Sequence, residues 1–346
     1  MGHPEIEAVC QAAARDGVAH GVVAAVGRAG GVDRLWSWGQ AAVVPAARPM
    51  STAMRFDIAS LTKVVATAAA CGLCIDRGWL DPTAPAGEVL PGLGERPGQR
   101  PRLCDLAMHI AGYDNRKFNA PGAGLLWDAV LTTPPTWAPG EHYEYSCRNF
   151  LLLGLAVEAV TGVGLGPFCA AHLFGPLGMA NTAFGPLVDD LDRVVPSEQP
   201  PGVISDGQAR AAGRPVGNAG LFSAAADLAC FCRMMLQGGQ WGGQRILGDR
   251  AIEWLTRPHT PAGLPRRSFG WDLRAVEECP HRPRRLSSSA FGHGGWTGQS
   301  LWVDPERDRF VVVLTNRTHA PGNPANYDTS QRFRGQLGDL LLASVG

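Results

Sequence analysis

Lysine is almost missing from this chain: Lys63 and Lys117 are the only two among 346 residues, against twenty-nine arginines. A chain so committed to arginine keeps lysine where permanent charge is not what is wanted, because a desolvated ammonium can release its proton and a guanidinium cannot. Excess charge of either sign is missing as well. Thirty-one basic residues balance thirty-one acidic ones, which removes the electrostatic case for a nucleic-acid partner or an anionic membrane surface. No uncharged apolar run is long enough to span a bilayer; the stretch from Leu151 to Val160 is short and contains Glu158. The start, Met1-Gly2-His3-Pro4-Glu5, lacks a basic segment followed by an apolar core, and the nine cysteines are odd in number and scattered. Both features lead to the expectation of a reducing cytoplasm rather than a disulfide framework. No Gly-x-Ser-x-Gly elbow, His-Glu-x-x-His, Walker loop or dinucleotide fingerprint occurs, so no nucleotide, metal or other cofactor is expected.

Apolar residues make up 45% of the chain and charged residues 18%, a profile with enough material for a large core. The forty-four glycines and twenty-seven prolines imply many turns and long shaped loops. Residues 4–16 read as a helix with Ile6, Val9 and Cys10 on one face. Strands are expected over 18–28 and 32–40, joined by Ala29-Gly30-Gly31. A buried helix is expected over 60–79, with others over 103–109, 149–161 and 221–237. Near the end, 269–274, 298–303 and 309–315 read as strands, and 327–343 as a closing helix. Strands at both ends and helices between them predict an α+β fold. One antiparallel sheet would be built from both termini (1–58 and 268–346) and flanked by helices, with a mostly helical domain (59–267) inserted and the site at their junction. The long irregular stretches 181–218 and 276–290 are expected to form walls of that site.

Three segments carry chemistry. Ser60 opens the predicted helix 60–79 and Lys63 follows three residues later, so both side chains lie on neighbouring faces near the positive end of the helix dipole. There an amine able to give up its proton makes a serine hydroxyl nucleophilic. The second segment, Pro139 to Gly154, places Tyr145, one of only four tyrosines, just before a helix, where a phenol near a cationic lysine is expected to titrate low and act as a base. The third, Phe291-Gly292-His293-Gly294-Gly295-Trp296-Thr297-Gly298, reads as a glycine-rich turn that brings backbone N–H groups close to a ligand. Cys71-x-x-Cys74 and Cys230-x-Cys232 lie in apolar helical runs and are expected to be core thiols.

In this order the three segments resemble the serine β-lactamase-like superfamily: class C β-lactamases, D-alanyl-D-alanine peptidases and related esterases and transacylases. The likeness extends to Phe56–Thr67, Leu106-x-x-His109-x-x-Gly112 and Gly217–Asp227. It implies Ser60 as the acylated nucleophile, Lys63 and Tyr145 as the proton relay, and the N–H groups of Ser60 and Trp296 as the oxyanion hole. Cys147, His293, Gly294 and Gly295 would line the substrate site, and His109 would be structural. Two departures stand out. Cys147 occupies the place of an Asn that contacts the substrate amide, and Gly294 that of a Thr that helps hold the substrate carboxylate. The implied activity is therefore hydrolysis of a small ester or amide, or transfer of the acyl group from a small-molecule donor to an amine or alcohol. A non-catalytic scaffold of the same fold is the rival of another class.

Overall fold

The structure, a computed structural model, describes residues 4–94, 99–118, 122–319 and 327–345. After helix α1 (Pro4–Arg15) come strands β1 (Gly21–Arg28), β2 (Gly31–Ala42) and the short β3 (Arg48–Pro49). A second, small sheet contains β4 (Arg55–Asp57), β5 (Ala183–Phe184) and β6 (Leu221–Ala224). Between and after these run α2 (Ala69–Asp76), α3 (Leu103–Ala107), α4 (Cys147–Thr161) and α5 (Ala225–Leu236), with further helices over Ala123–Thr132, Leu165–Cys169 and Asp249–Thr256. Strands β7 (Phe291–Gly295), β8 (Gln299–Asp304) and β9 (Arg309–Thr315) then lead to the closing helix α6 (Tyr327–Ala343).

The main sheet is antiparallel throughout, in the order β3-β2-β1-β9-β8-β7, so the two ends of the chain meet where β1 pairs with β9 in the register Val23↔Leu314. Both faces are covered. Val23, Ala25, Leu301, Val303, Val312 and Leu314 point into the large core shared with α2, α4 and α5. The alternate residues Val22, Ala24, Val26, Trp302, Val311 and Val313 point into a second core against α1 and α6. This is the period of two expected of a strand, with apolar residues on both phases because both faces are buried. The α+β class, with one sheet from both termini, is therefore as expected.

Three expectations change. Residues 221–224 are strand β6, which pairs with β4 (Phe56↔Ser223), and the helix starts only at Ala225. Residues 269–274 form a loop with single bridges such as Asp272↔Gly292; Gly270 at φ +94° breaks the extended course. The glycine-rich segment 291–295 is the edge strand β7, paired with β8. It carries no β-branched residue, but Gly292 packs where any Cβ would lie 2.2 Å from the Trp302 ring, so glycine is required rather than merely tolerated. Residues 59–76 are apolar and long enough to cross a membrane by composition, yet 89% of that span is buried inside the core.

Candidate active site

Ser60 sits on a strained turn. Ala59 adopts φ +45°, rare for a residue with a Cβ, and is held there by the Asp57 carboxylate, whose Oδ1 accepts the Ala59 N–H at 2.8 Å. The other Asp57 oxygen accepts the Ser205 N–H at 2.7 Å, which ties the long loop 195–206 to the same turn. From there the expected single helix is built in three pieces: a 3-10 turn (Ala59–Leu61), a π segment (Lys63–Ala68) and α2. Such π segments recur at functional sites because the widened turn re-aims its side chains. Here the π segment starts at Lys63. Its side chain is fully buried, and its Nζ donates to Ser60 Oγ at 2.9 Å and to the Asn218 carbonyl at 2.8 Å. Cys147 Sγ lies 3.7 Å away.

Tyr145 closes the constellation from the residue pair that precedes α4. Its hydroxyl faces Ser60 and Lys63, both of which favour its ionised form, and Lys63 Nζ is 5.2 Å from its ring centre. His109, buried and at φ +62°, packs its ring 4.5 Å from that of Tyr145. The His109 Nδ1 accepts the Ser146 N–H at 3.2 Å and its carbonyl accepts the Glu144 N–H at 3.0 Å, so the backbone is held on both sides of Tyr145. The place of His109 is structural, as expected, but what it positions is the phenol.

The titration of this centre differs from the sequence-based expectation. Burial raises the Tyr145 phenol, and the attraction of Lys63 does not overcome it, so its pKa is above the ordinary tyrosine value rather than below it. Burial alone would lower Lys63, but the acidic Cys147 and Tyr145 side chains beside it outweigh that and hold it above the ordinary lysine value. At rest the site therefore holds an ammonium and a neutral phenol that share one proton-transfer unit.

Strand β7 is sewn onto the Ser60 turn. Thr297 Oγ1 donates to the Asp57 carbonyl at 2.8 Å and Gln299 Nε2 to the same oxygen at 3.3 Å. A Cβ on Gly295 would lie 2.7 Å from the Ile58 carbonyl, so only glycine allows the strand this close. Trp296, at the end of β7, and Ser60 both line one cavity of about 930 Å³, together with Tyr145, Cys147, His293 and Gly294. Every site residue expected from sequence is thus in or directly behind this cavity. His293 is buried, donates from Nδ1 to the Gly294 carbonyl at 2.7 Å, and is held well below the ordinary histidine range by burial and the nearby Arg267 and Lys63 charges. It is neutral.

The opposite wall was legible only in part: the stretch 276–290, which contains His281, was expected to supply a wall, but Arg267, Asp272 and Arg274 were not singled out. Loop residues Arg267, Asp272, Arg274 and His281 line the same cavity. Asp272 accepts Arg274 at 2.6 Å and faces Arg267 at 3.6 Å. Burial would raise this carboxyl, but the two guanidiniums outweigh it and hold it well below the usual range. The His281 ring lies where a side chain at position 294 would point: a Cβ there would be 3.1 Å from His281 Nε2. Burial pushes His281 down to about 3, with Arg334 adding to the effect, so this ring is neutral. Asp272, Cys279 and His281 bring possible metal-ligating atoms within 4.8 Å of one another. The two arginines already compensate the carboxylate, which makes a cation there unfavourable. Loop residues 195–206 and 276–290 do supply cavity walls, through Glu198, Ser205, Glu278 and His281.

The family model described as Beta-lactamase matches residues 6–333. An inferred D-alanyl-D-alanine carboxypeptidase of Salmonella enteritidis is 28% identical over 79% of this chain and 72% of its own length. Among solved structures, EstCE1, a hydrolase with promiscuous acyltransferase activity, superposes with a TM-score of 0.77 at 22% identity and 96% coverage of both chains. Simvastatin synthase (LovD) from Aspergillus terreus gives 0.75 at 17% identity, with 99% of both chains covered. These two likenesses are of fold.

Proposed function

This chain belongs to the Beta-lactamase family, and from that premise we propose that it is a serine hydrolase that cleaves a small ester through an acyl-enzyme on Ser60. The observation that carries the reading is the 2.9 Å hydrogen bond from a fully buried lysine to a serine hydroxyl that opens onto a cavity. In molecules whose Lys63–Tyr145 pair has given up one proton, Ser60 Oγ attacks the ester carbonyl while its own proton passes into that pair. Charge on the carbonyl oxygen is received by the N–H groups of Ser60 and Trp296. The alcohol departs with the proton returned by the pair, and water repeats the sequence in reverse to release the acid.

The substrate is proposed to lack a carboxylate beside the scissile bond. Carboxylate recognition in a buried site requires a free cation or a set of donors. Here Arg267 and Arg274 face Asp272, His281 and His293 are neutral, residue 294 has no side chain, and the two other cations lining the cavity, Lys117 and Arg332, are exposed to solvent. Cys147 is a poor hydrogen-bonding substitute for an amide. Transfer of the acyl group to an amine or alcohol is the second reading, supported by a cavity roomy enough for donor and acceptor together.

Intact-mass measurement after exposure to a fluorophosphonate tests the core claim. One adduct on the unmodified chain and none on Ser60→Ala is expected; no adduct on either refutes a nucleophilic Ser60. Hydrolysis of penicillin as fast as of aryl esters would refute the carboxylate argument. Product mass in the presence of amines or alcohols decides between water and another acceptor.

A further inference from the structure

The rim of the cavity carries an exposed aromatic surface that the acyl chemistry does not use. Trp296 is half exposed, at 50%, and is the only one of the large exposed apolar side chains among the described residues that lines this cavity. Its ring is held rather than free. Tyr327, the first residue of α6, stacks on it with ring centres 5.4 Å apart and planes 23° apart. The Arg317 guanidinium lies 4.4 Å from the indole centre, and Arg317 Nε donates to the Trp296 carbonyl at 2.8 Å. Tyrosine is scarce in this chain, yet three of its four tyrosines, Tyr143, Tyr145 and Tyr327, line this one cavity.

We propose that Trp296 and Tyr327 form a fixed shelf for an aromatic ring carried by the substrate. The inference rests on the acyl-enzyme reading of the same cavity and adds the class of group the substrate bears. Trp296 offers the cavity a flat apolar face, and an aromatic ring laid on it takes that face out of water. Because stacking on Tyr327 and the contact with Arg317 already fix the indole, a ligand ring does not have to order it, and offset stacking adds to simple burial. A guanidinium behind the ring draws electron density away from the exposed face, which favours an electron-rich ring over a saturated one of the same size. Trp296 also supplies one of the N–H groups proposed to receive the oxyanion. The shelf is thus joined through one residue to the reacting centre, and a ring seated on it helps set the carbonyl in place.

The test separates binding from turnover. Titration calorimetry on the Ser60→Ala chain compares a phenyl-bearing ester with its cyclohexyl counterpart. The phenyl ligand is expected to bind about fivefold more tightly. Trp296→Leu, which keeps the backbone N–H and an apolar side chain, is expected to erase that preference, and Trp296→Phe to retain most of it; thermal melting confirms that each variant is folded. Equal binding of the two ligands by the Ser60→Ala chain, or an unchanged preference in the folded Trp296→Leu variant, overturns the shelf. If the preference holds while the unmodified chain releases no alcohol from either ester, the shelf stands and ester hydrolysis falls. If both esters are hydrolysed at equal kcat/KM and bound equally, hydrolysis stands and the shelf falls.

Discussion

Two walls of one cavity both bury positive charge, and they do so in opposite ways. On the Ser60 side the cation is Lys63, whose neighbours are a hydroxyl, a carbonyl, a thiol and a phenol. On the far side the cations are Arg267 and Arg274, facing the single carboxylate Asp272. A guanidinium locked to a carboxylate is a permanent fixture; it shapes a wall and moves no proton. A lysine among weak acids has partners that can each exchange a proton with it. In a chain with two lysines and twenty-nine arginines, the single buried ammonium stands on the wall where a proton has to move.

The comparison breaks most sharply at position 63. Lys63→Arg keeps the charge and roughly the volume but cannot release a proton, so acylation is expected to fall by about a thousandfold or more, while the melting temperature changes little. Burst kinetics with an activated ester measure this, and a fully active variant would remove Lys63 from the proposed relay. The reverse pattern is expected opposite. Asp272→Asn leaves two guanidiniums facing no charge, Arg267 among them with a side chain only 1% exposed. Its expected effect is about 3–5 kcal/mol of lost stability, read from urea unfolding, with a smaller loss in kcat/KM at temperatures where the variant is folded. A variant as stable as the parent would show that the arginine wall is solvated.

A third, smaller effect concerns pH. Lys63 and Tyr145 both titrate above their ordinary values. The proton-accepting form of the pair is therefore scarce near neutrality, and kcat/KM is expected to rise with pH, by up to tenfold per unit below the lower pKa of the pair. At the acid end Asp57 matters. Burial raises its carboxyl to about 6, even though the Ser205 and Ala59 N–H groups favour the charged form. Since the folded value lies above the ordinary 3.8, the folded state holds more protons than the unfolded one between them. The contribution of Asp57 to stability therefore increases as pH falls through 6. The protonated acid no longer accepts both N–H bonds that shape the Ser60 turn. Activity is thus expected to decline below about pH 6 with no matching loss of stability from this group. A melting profile that tracks the activity profile would refute that separation.

What was legible in the sequence was local. Ser60 and Lys63 are three residues apart on one element, so their spacing marked the pair, whereas Tyr145 joined them only through the family resemblance of the three segments, since a tyrosine before a helix does not announce itself. The outer helices followed from the same logic: α6 was read as 327–343 and forms over Tyr327–Ala343. Two strand assignments failed for tertiary reasons. Strand β7, Phe-Gly-His-Gly-Gly, has none of the branched residues that mark a strand, because its glycines answer to the Trp302 ring and the Ile58 carbonyl. The run 269–274 alternates like a strand, yet its Asp272 pairs with Arg274 and with Arg267 just before the run, and Gly270 turns it aside. Arg267, Asp272 and Arg274 come from a loop far from Ser60 in sequence, and no local spacing announces them, whereas the length of the irregular stretch 276–290 did mark the wall that holds His281. The directions in which Lys63 and Tyr145 titrate were misjudged because they depend on burial and on Cys147 from another helix, which only the fold brings together.

The smallest expected effect is the one that joins the two walls. Gly294 on β7 and His281 on the far loop share one volume, since a methyl group at 294 would lie 3.1 Å from His281 Nε2. That is tighter than most packed atoms sit, so the ring must give by a few tenths of an ångström, and His281 cannot swing freely, because Trp302 Nε1 donates to its Nδ1 at 3.3 Å and Cys279 Sγ lies 3.2 Å from its Nε2. Gly294→Ala is therefore expected to cost about 1–3 kcal/mol in stability. His281→Ala alone opens a void on the cavity floor and also destabilises. If both changes act on the same space, the double variant recovers part of the loss, with a coupling of about 0.5–3 kcal/mol in a double-mutant cycle. Strict additivity would mean that the histidine does not stand in for the missing side chain at 294. The arginine-held loop would then bound the cavity without shaping what β7 presents to the substrate.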